Sequence, residues 1–568
     1  MTLMILCLFG LCLCPTVSAQ RSHRSRPADQ RIYLDHADSL YFDEYRRHDT
    51  QIVRGHVKFR HQGATLLCDS AYFRQQENTF HAFGHVRMLQ GDTLEVRCDT
   101  AFYDGRADAD MVHAQSNVVV IHRKTSELHT DNLILDRKFD IVYYDKGGNY
   151  SDRSKGMTLS SDWGKYNLST KEAEFFYDVT LKTKTHVVYT DTLLYYSGEE
   201  RAHVLGGRTI FADGAPPRWE KSKIHAVKDG YDVETTNCYF YLNSERTELF
   251  DKSSIENAMR TISGDSLFYD SSAKKSHGYG AVSYTDHKNK NRLTADAVEY
   301  DESTGKGLAT RNPVFVDFSQ ADTLYLHADT IRVETFYLDT DSMYRKVHCY
   351  HKVRMFRNDM QAVCDSMVIC SRDSSLTMYV DPIVWNASRQ LLGDSIKVWM
   401  NDSTIREANV MSKALSIEMM PDYQHPGDVY FNQVTSRQMN AYFDQGHMRM
   451  SEAVGSVQTV YYPVEDSDSS RILMVYLETD TMRMFLSQER QLEKIWTSKS
   501  EGVAYPLTQI PPSKDRLPNF GWYDYIRPTD KDDIYYIEGK HDKHGTYVAG
   551  PPSTANALSR RARKADGR

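Results

Sequence analysis

The chain has 568 residues, of which 26% are charged, and a formal net charge of −8 at pH 7. This acidic balance gives no reason to expect nucleic acid as a partner. A single globular core does not grow to this size, but a repeat protein that extends in one dimension avoids the limit.

The N-terminal segment predicts export. Residues 1–19 are almost wholly apolar and end in Val17-Ser18-Ala19, which is typical of a cleavable signal peptide. The apolar stretch is short for a membrane span. Residues 20–31 form an arginine-rich linker that is expected to be flexible, either solvated or in contact with acidic head groups.

The chain then repeats a short phrase built around an aspartate. The stretch LLCDSAYF at residues 66–73 recurs as VRCDTAFY at residues 96–103. Successive aspartates lie 29 to 36 residues apart, except for one gap of 74 residues. This gap holds a degenerate copy of the phrase at residues 235–239, which we call the worn copy. Self-similarity at a period of about 31 residues is typical of a repeat protein. The aspartates are Asp38, Asp69, Asp99, Asp131, Asp162, Asp191, Asp265, Asp296, Asp329, Asp365 and Asp394.

Apolar residues alternate on both sides of each aspartate, but the two runs are out of phase. The third residue before the aspartate is apolar in nearly every copy, the residue just before it is small, and the second and fourth residues after it are mostly apolar. A period of two predicts strands. Since a one-residue shift swaps the faces of a strand, we predict that each aspartate occupies a structural corner or bulge. The inward-facing residues before the aspartates include Leu66, Val96, Leu128, Leu159, Val188, Ile262, Leu293, Leu326 and Leu391.

A second signature follows in most copies, namely one or two turn residues and then valine. It occurs at residues 55–57, 84–86, 116–118, 177–179, 280–282, 312–314 and 408–410. Each repeat therefore holds several short strands, and stacked repeats bury one continuous apolar interior. The predicted fold is all-β, an elongated open β jelly roll or β-solenoid.

Breaks in this rhythm define the predicted segments. The segment at 510–549 is rich in proline and aromatic residues and is expected to be an ordered extended cap or a docking segment. The full division is a signal peptide at 1–19, a basic linker at 20–31, a first array of repeats at 32–211, a loop or bend at 212–230, a second array at 231–411, diverged repeats at 412–509, the capping segment at 510–549 and a disordered basic tail at 550–568.

Six cysteines follow the signal peptide. Cys68, Cys98 and Cys364 occupy the small inward position, which favours buried thiols. Export permits disulfides, and Cys364 could pair with Cys370 across a bend. The remaining two are Cys238 and Cys349.

The sequence offers little chemistry. It contains no G-x-x-x-x-G-K-[ST], H-E-x-x-H, G-x-S-x-G or paired C-x-x-C motif, so we predict no enzyme and no cofactor. The best metal candidate, residues 348–351, lacks a matching second pair and is interpreted as a strand. Successive repeat aspartates would lie about 10 Å apart, too far to share a calcium ion, so no metal is expected.

The phrase apolar-x-small-Asp-[Ser/Thr]-apolar-x-aromatic, followed by Gly-x-Val, resembles the OstA/LptA family of lipopolysaccharide transport proteins. The resemblance covers residues 32–411 and, more weakly, residues 411–507. It implies a V-shaped open β jelly roll whose groove shelters the acyl chains of lipopolysaccharide in the periplasm. Carried over to this chain, it implies that the inward-facing residues named above, from Leu66 to Leu391, line the lipid groove.

The resemblance also implies partners and a location. The chain would bridge the inner and outer membranes, and its open ends would pair by edge strands with inner-membrane and outer-membrane transport components. Repeats that advance about 10 Å each would together reach roughly 120 Å, which makes this chain several times longer than the short family members.

A second interpretation stays open, a secreted β-solenoid of another class such as an adhesin or a polysaccharide-acting β-helix. An enzyme would cluster carboxylates or basic residues in one repeat, outside the repeated pattern. An adhesin would have a closed, filled core instead of a groove that opens along one side.

Overall fold

The computed structural model of the chain describes residues 31–535, apart from residues 43–48, 62, 107–108, 155, 197, 210–217, 228–229, 242–245, 402–403, 423–428, 446, 465–470 and 488–491. The predicted signal peptide and the predicted basic tail lie outside the described residues. The chain divides into two compact units, Met1–Ser276 and His277–Arg568.

The prediction of an all-β fold is confirmed. All the regular secondary structure in the described part of the first unit is antiparallel strand, and strand β23 (Lys275–Asp286) spans the division between the units. The strands of the first unit are β1 Tyr33–His36, β2 Ser39–Phe42, β3 Gln51–His61, β4 Ala64–Arg74, β5 Thr79–Gln90, β6 Leu94–Asp104, β7 Met111–His122, β8 Ser126–Asp136, β9 Ile141–Tyr144, β10 Gly148–Asp152, β11 Met157–Ser161, β12 Trp163–Asn167, β13 Glu172–Lys182, β14 His186–Tyr196, β15 Arg201–Leu205, β16 Arg208–Thr209, β17 Arg218–Trp219, β18 Ser222–Ala226, β19 Tyr231–Thr235, β20 Asn237–Tyr241, β21 Arg246–Glu256 and β22 Arg260–Asp270.

Each long strand is divided by a shift in register. Residues 51–54 of β3 pair with residues 70–73 of β4, and residues 57–61 pair with residues 64–68. Two residues of β3, 55 and 56, therefore lie opposite one residue of β4, Asp69. We call arm A the part of the sheet that contains residues 51–54 and 70–73, and arm B the part on the other side of the shift. Later long strands are divided in the same way, and each short strand of this sheet belongs to one arm, whereas β16 and β17 form a separate two-stranded sheet.

The two arms of the first unit enclose one apolar core. Alternate residues of each strand point into it, as the period of two predicts. Val53 of arm A and Val57 of arm B are fully buried there, on either side of the first register shift. The core extends without interruption from Ile32 to Leu267.

The second unit is built from the same kind of strand. Its strands are β24 Asn291–Asp301, β25 Lys306–Thr310, β26 Val314–Asp317, β27 Leu324–His327, β28 Thr330–Phe336, β29 Tyr344–Arg357, β30 Met360–Cys370, β31 Ser375–Tyr379, β32 Ile383–Asn386, β33 Arg389–Leu392, β34 Ser395–Asn401, β35 Thr404–Pro421, β36 Val429–Asp444, β37 His447–Tyr461, β38 Leu473–Leu486, β39 Leu492–Thr497 and β40 Ser500–Pro506.

Residues 507–535 follow the last strand and lie across the outer face of arm B in the second unit. We call this segment the strap. It contains the short helix α1 (Pro512–Asp515) and 3-10 turns at Leu507–Gln509, Asp524–Ile526 and Asp533–Tyr535. In the described part of the chain, no helix is long and apolar enough to cross a membrane.

The strap covers a second apolar layer. Val384 and Leu391 pack in the interior of the second unit, and the alternate residues Ile383, Trp385 and Leu392 point to the outer face. These outer residues, with Ile417 and Phe431, pack against Trp522, Tyr523 and Ile526 of the strap. Arm B of this unit is therefore apolar on both faces, as expected for a sheet that is covered on both sides.

Buried side chains hold the backbone of the strap. Gln433 Nε2 donates to Asp515 O at 3.0 Å, and Gln433 Oε1 accepts from Leu517 N at 2.9 Å. The Arg354 guanidinium, which is 2% exposed, donates to Ile526 O at 3.1 Å and to Asp533 O at 3.0 Å. Strap groups that leave solvent thus find partners on the sheet, as buried polar groups require.

Candidate functional site

Each repeat aspartate sits opposite two residues in the left-handed conformation. At the first register shift these residues are Gly55 (φ 78°) and His56 (φ 44°), and Asp38 N donates to Gly55 O at 2.9 Å. The same bond joins Asp162 to Tyr177 O at 3.1 Å and Asp329 to His351 O at 3.1 Å. Two residues opposite one is the arrangement of a β-bulge.

Several carboxylates also contact the bulge through their side chains. His85 Nδ1 lies 2.8 Å from Asp69 Oδ2, and Asn117 Nδ2 donates to Asp99 Oδ2 at 2.7 Å. The hydrogen bond to Asp69 raises the pKa of His85, which is fully exposed. All eleven repeat aspartates are exposed or half-buried, so they face solvent at the outside of the corner.

Diverged copies of the repeat form the same register shift with another residue in place of the aspartate. Thr236 takes the aspartate position in the worn copy, between β19 and β20, and Gly206 N donates to Thr236 O at 2.8 Å. In β36 the register shift lies between Thr435 and Gln438, which places Arg437 at the corner. The corner thus forms without an aspartate.

Aromatic rings join the two arms in the first repeats. The ring of Phe59, in arm B, lies 5.2 Å from the rings of Phe73 and Phe80, in arm A. Nearer the arm tips, Tyr103 Oη of arm A lies 3.0 Å from His61 Nε2 of arm B and donates to Asp110 Oδ1 at 3.1 Å. Burial raises the pKa of Tyr103 to about 12, so the hydroxyl keeps its proton. The interior is filled at these repeats.

The interior of the second unit has a different lining. Met355, Met367 and Met378 are buried in its main cluster, and Met360 and Met439 pack at the edge of that cluster. Methionine is flexible and adapts to irregular shapes, whereas rings hold defined positions. The second interior is therefore built from more adaptable side chains than the first repeats of the chain.

The structure places all nine predicted groove residues on the inner face of arm B, at two levels of burial. Leu66, Leu128, Leu159, Val188 and Leu326 are buried. The half-buried residues are Val96, Ile262, Leu293 and Leu391.

The cysteines of the described chain are free thiols. Burial raises the pKa of Cys68 to about 12 and of Cys98 to about 11, so both stay protonated. Cys349 is buried, and His351 of the same stretch lies in the bulge with Nδ1 3.4 Å from Asp365 Oδ1. Across the described residues, no group of three or more His, Cys, Asp or Glu side chains is placed to hold a metal ion.

The terminal strands expose apolar side chains. β1 and β2 pair with β3, and Tyr33, Leu40 and Phe42 are exposed. At the other end β39 and β40 pair with β38, and Ile495 and Val503 are exposed. The pattern predicted that Leu40 faces inward. It is exposed because no further strand covers it within the described residues.

These features define a class of protein, a repeat protein whose antiparallel strands turn at stacked corners and enclose an apolar interior between two arms. Residues 29–191 match the model of the OstA-like protein family. The resemblance seen in the sequence is thereby confirmed over this part of the chain.

No curated protein matches the chain. Among solved structures, the chain is similar to LptH of Pseudomonas aeruginosa, described as the LptA homologous periplasmic component of the conserved lipopolysaccharide transport device. The identity is 13% and the TM-score is 0.18, over 21% of this chain and 82% of that chain.

Proposed function

We propose that this chain is a periplasmic carrier of lipopolysaccharide that shelters the acyl chains between its two arms. The observation that carries the proposal is the uninterrupted apolar core of the first unit, from Ile32 to Leu267, in a segment that includes most of the residues matched to the OstA-like family. The signal peptide expected at residues 1–19 supports the periplasmic location.

The energetics favour such an interior. Each methylene group exposed to water costs about 0.8 kcal/mol, so a lipid with roughly 50 acyl methylenes costs on the order of 40 kcal/mol when unprotected. A carrier must cover the chains throughout. Repeats of one design offer nearly equal sites, which lets the lipid advance without settling at one position.

The ring contacts set a condition on entry. Because Phe59 touches Phe73 and Phe80, acyl chains fit between the arms of the first repeats only when the arms separate. The methionine-lined interior of the second unit needs less rearrangement, since methionine side chains can change rotamer around a chain.

The terminal strands are proposed as the docking sites for partners. Among the described residues, β2 pairs only with β3 and β39 only with β38, and both strands expose apolar side chains such as Phe42 and Ile495. Strands of this kind are templates for strand addition. An inner-membrane and an outer-membrane transport component would each add a strand here, so that the chain bridges the two membranes. The substitution Ile495→Pro should abolish the contact made through β39 and leave the contact made through β2 intact.

The test of lipid binding uses matched pairs of photoreactive residues on the two faces of one strand. Val96 points inward and its neighbour Arg97 points outward. Leu293 and Arg292 form the second pair. Illumination with lipopolysaccharide should yield adducts at Val96 and Leu293 and none at the outward residues. Equal labelling of both faces, or none, contradicts the proposal.

An adhesin is the second candidate, and the ring contacts favour it because a filled core is what an adhesin needs. The two candidates differ in whether the arms part. An adhesin keeps its arms closed when lipopolysaccharide is added, whereas a carrier opens them.

A further inference from the structure

Three polar side chains lie side by side on the inner face of arm B, at its tip. His122 ends β7, Ser126 begins β8 and Asp152 ends β10. His122 pairs with Ser126 across the hairpin, and Ser126 pairs with Asp152 on its other side. Directly paired residues in a sheet have Cβ atoms about 5 Å apart. The three side chains therefore form one cluster.

Their orientation follows from the strands that carry them. Val120, Leu128 and Tyr150 each lie two residues from a member of the cluster, and all three belong to the core of the first unit. Residues two apart in a strand share a face. The cluster thus points into the same interior that is proposed to hold acyl chains.

The cluster is buried and incompletely hydrogen-bonded. His122, Ser126 and Asp152 are 4%, 2% and 3% exposed. Among the described residues, neither His122 Nδ1 nor Ser126 Oγ has a hydrogen-bond partner. Buried polar atoms without a partner destabilise a fold, so their presence in an otherwise apolar interior needs a cause.

The chemistry of the cluster indicates what it would bind. Burial and the nearby Arg123 lower the pKa of His122, so its imidazole is neutral near pH 7. A neutral imidazole, a hydroxyl and a carboxylate can exchange hydrogen bonds with hydroxyl groups. The negative charge of Asp152, which already accepts from Ser154 N at 2.9 Å, disfavours a phosphate.

We propose that His122, Ser126 and Asp152 bind hydroxyl groups of the sugar part of an acylated saccharide. The inference rests on the proposed function, because it assumes that the acyl chains lie in the adjoining interior. It adds that the first unit recognises the head of the lipid as well as its chains, and that recognition occurs at the tip of arm B.

The experiment compares two lipids and two proteins. Lipid A carries acyl chains, phosphate and sugar, while a phosphatidic acid with matched chains lacks the sugar. We expect the full chain with His122→Phe and Ser126→Ala to bind lipid A roughly tenfold more weakly, and phosphatidic acid as tightly as the unchanged protein does. His129→Phe, in β8 on the exposed face, is the matched control and should change neither affinity.

Folding is checked by the melting temperature without lipid. Because the double variant removes two buried polar atoms without partners, its melting temperature should not fall. If it does fall, the single variant Ser126→Ala replaces the double variant in the binding experiment. We expect Ser126→Ala to bind lipid A about threefold more weakly and to bind phosphatidic acid as tightly as the unchanged protein does.

Equal weakening for both lipids, or no weakening, overturns the sugar site and leaves the carrier proposal standing. If the unchanged protein binds neither lipid, the carrier proposal itself fails, and the sugar site fails with it.

Discussion

The buried side chain of Gln390 holds the backbone at Tyr523 in a clamp, by which we mean two hydrogen bonds from one side chain to the strap. Gln390 Oε1 accepts from Tyr523 N at 2.8 Å, and Gln390 Nε2 donates to Gly521 O at 2.6 Å. Gln433 holds Asp515 and Leu517 in the same way. Two glutamines in different strands thus each bind a carbonyl and the N–H two residues later, and this fixes the strap in an extended course over arm B.

Replacing Gln390 with leucine should destabilise the second unit by at least about 3 kcal/mol. The change leaves the carbonyl of Gly521, the N–H of Tyr523 and the indole N–H of Trp385 buried without their partner, and each such group costs about 1–3 kcal/mol. Urea unfolding measures the loss. Gln458→Leu is the control, because Gln458 makes its hydrogen bond to Glu478 in solvent and should change stability by less than about 0.5 kcal/mol. Equal effects of the two substitutions would refute the clamp.

Gly84→Ala should disrupt the first corners. Gly84 has φ of +74°, and an added Cβ would lie 3.0 Å from the Cβ of Asp69. Gly63→Ala separates strain from crowding, since Gly63 has φ of +81° and no atom within 4 Å of an added Cβ. We expect Gly63→Ala to cost about 1 kcal/mol and Gly84→Ala about 1–2 kcal/mol more. Similar losses of unfolding free energy for the two variants, measured in urea, would show that the Asp69 side chain does not crowd the added methyl group at Gly84.

A stop after Pro506 removes the strap and should expose the outer face of arm B in the second unit. Trp385, Ile417 and Phe431 lose their cover, so dye binding to apolar surface should rise and the amides of β32 and β35 should exchange faster. A stop after Tyr535 is the control, because it leaves the strap in place, and it should change neither signal. Unchanged exchange in β32 after removal of residues 507–568 would contradict the covering role.

The strap should loosen in mild acid. Burial lowers the pKa of His327, helped by the charge of Arg354, while the carbonyl of Pro313 and the charge of Asp329 oppose the shift. The folded pKa is below the ordinary 6.5, so the unfolded chain binds more protons, and the contribution of His327 to stability is lost as pH falls below about 6.5. The ring of Tyr535 lies 5.0 Å from His327, at the end of the strap.

This pH dependence is checked by urea unfolding of the second unit at about pH 7.5 and pH 5.5, followed through tryptophan fluorescence. His327→Asn should reduce the difference between the two conditions, because asparagine does not titrate. An unchanged difference would assign the acid sensitivity to other groups.

Local chemistry made the repeats visible in the sequence. An aspartate followed by Ser or Thr, and a glycine before valine, are signals that act over a few residues, so the strand and corner pattern could be recognised without structure. The sequence pattern misplaced one turn, in a copy where other residues replace the glycine before valine. The turn signature identified at residues 408–410 lies inside arm A, where Val410 pairs with Ile396, and the two left-handed residues of that strand are Ser412 and Lys413 instead.

Contacts between distant segments left no local signal. Gln390 and Gly521 are 131 residues apart, and no periodicity connects them. The strap could be recognised as a special segment from its proline and aromatic content, but not its course over arm B. In the same way, an alternation of apolar residues says nothing about how closely the opposite arm approaches, so the ring contacts of Phe59 could not be predicted.

The distance between the arm tips in the first repeats tests the central claim most directly. Spin labels at Gln75, at the tip of arm A, and Asp92, at the tip of arm B, report the gap, and labels at Asp92 and Lys124 report a distance within arm B. If acyl chains lie between the arms, bound lipopolysaccharide must lengthen the first distance by several ångströms, about the thickness of an acyl chain, and leave the second unchanged. Binding with no change in the first distance would contradict the account.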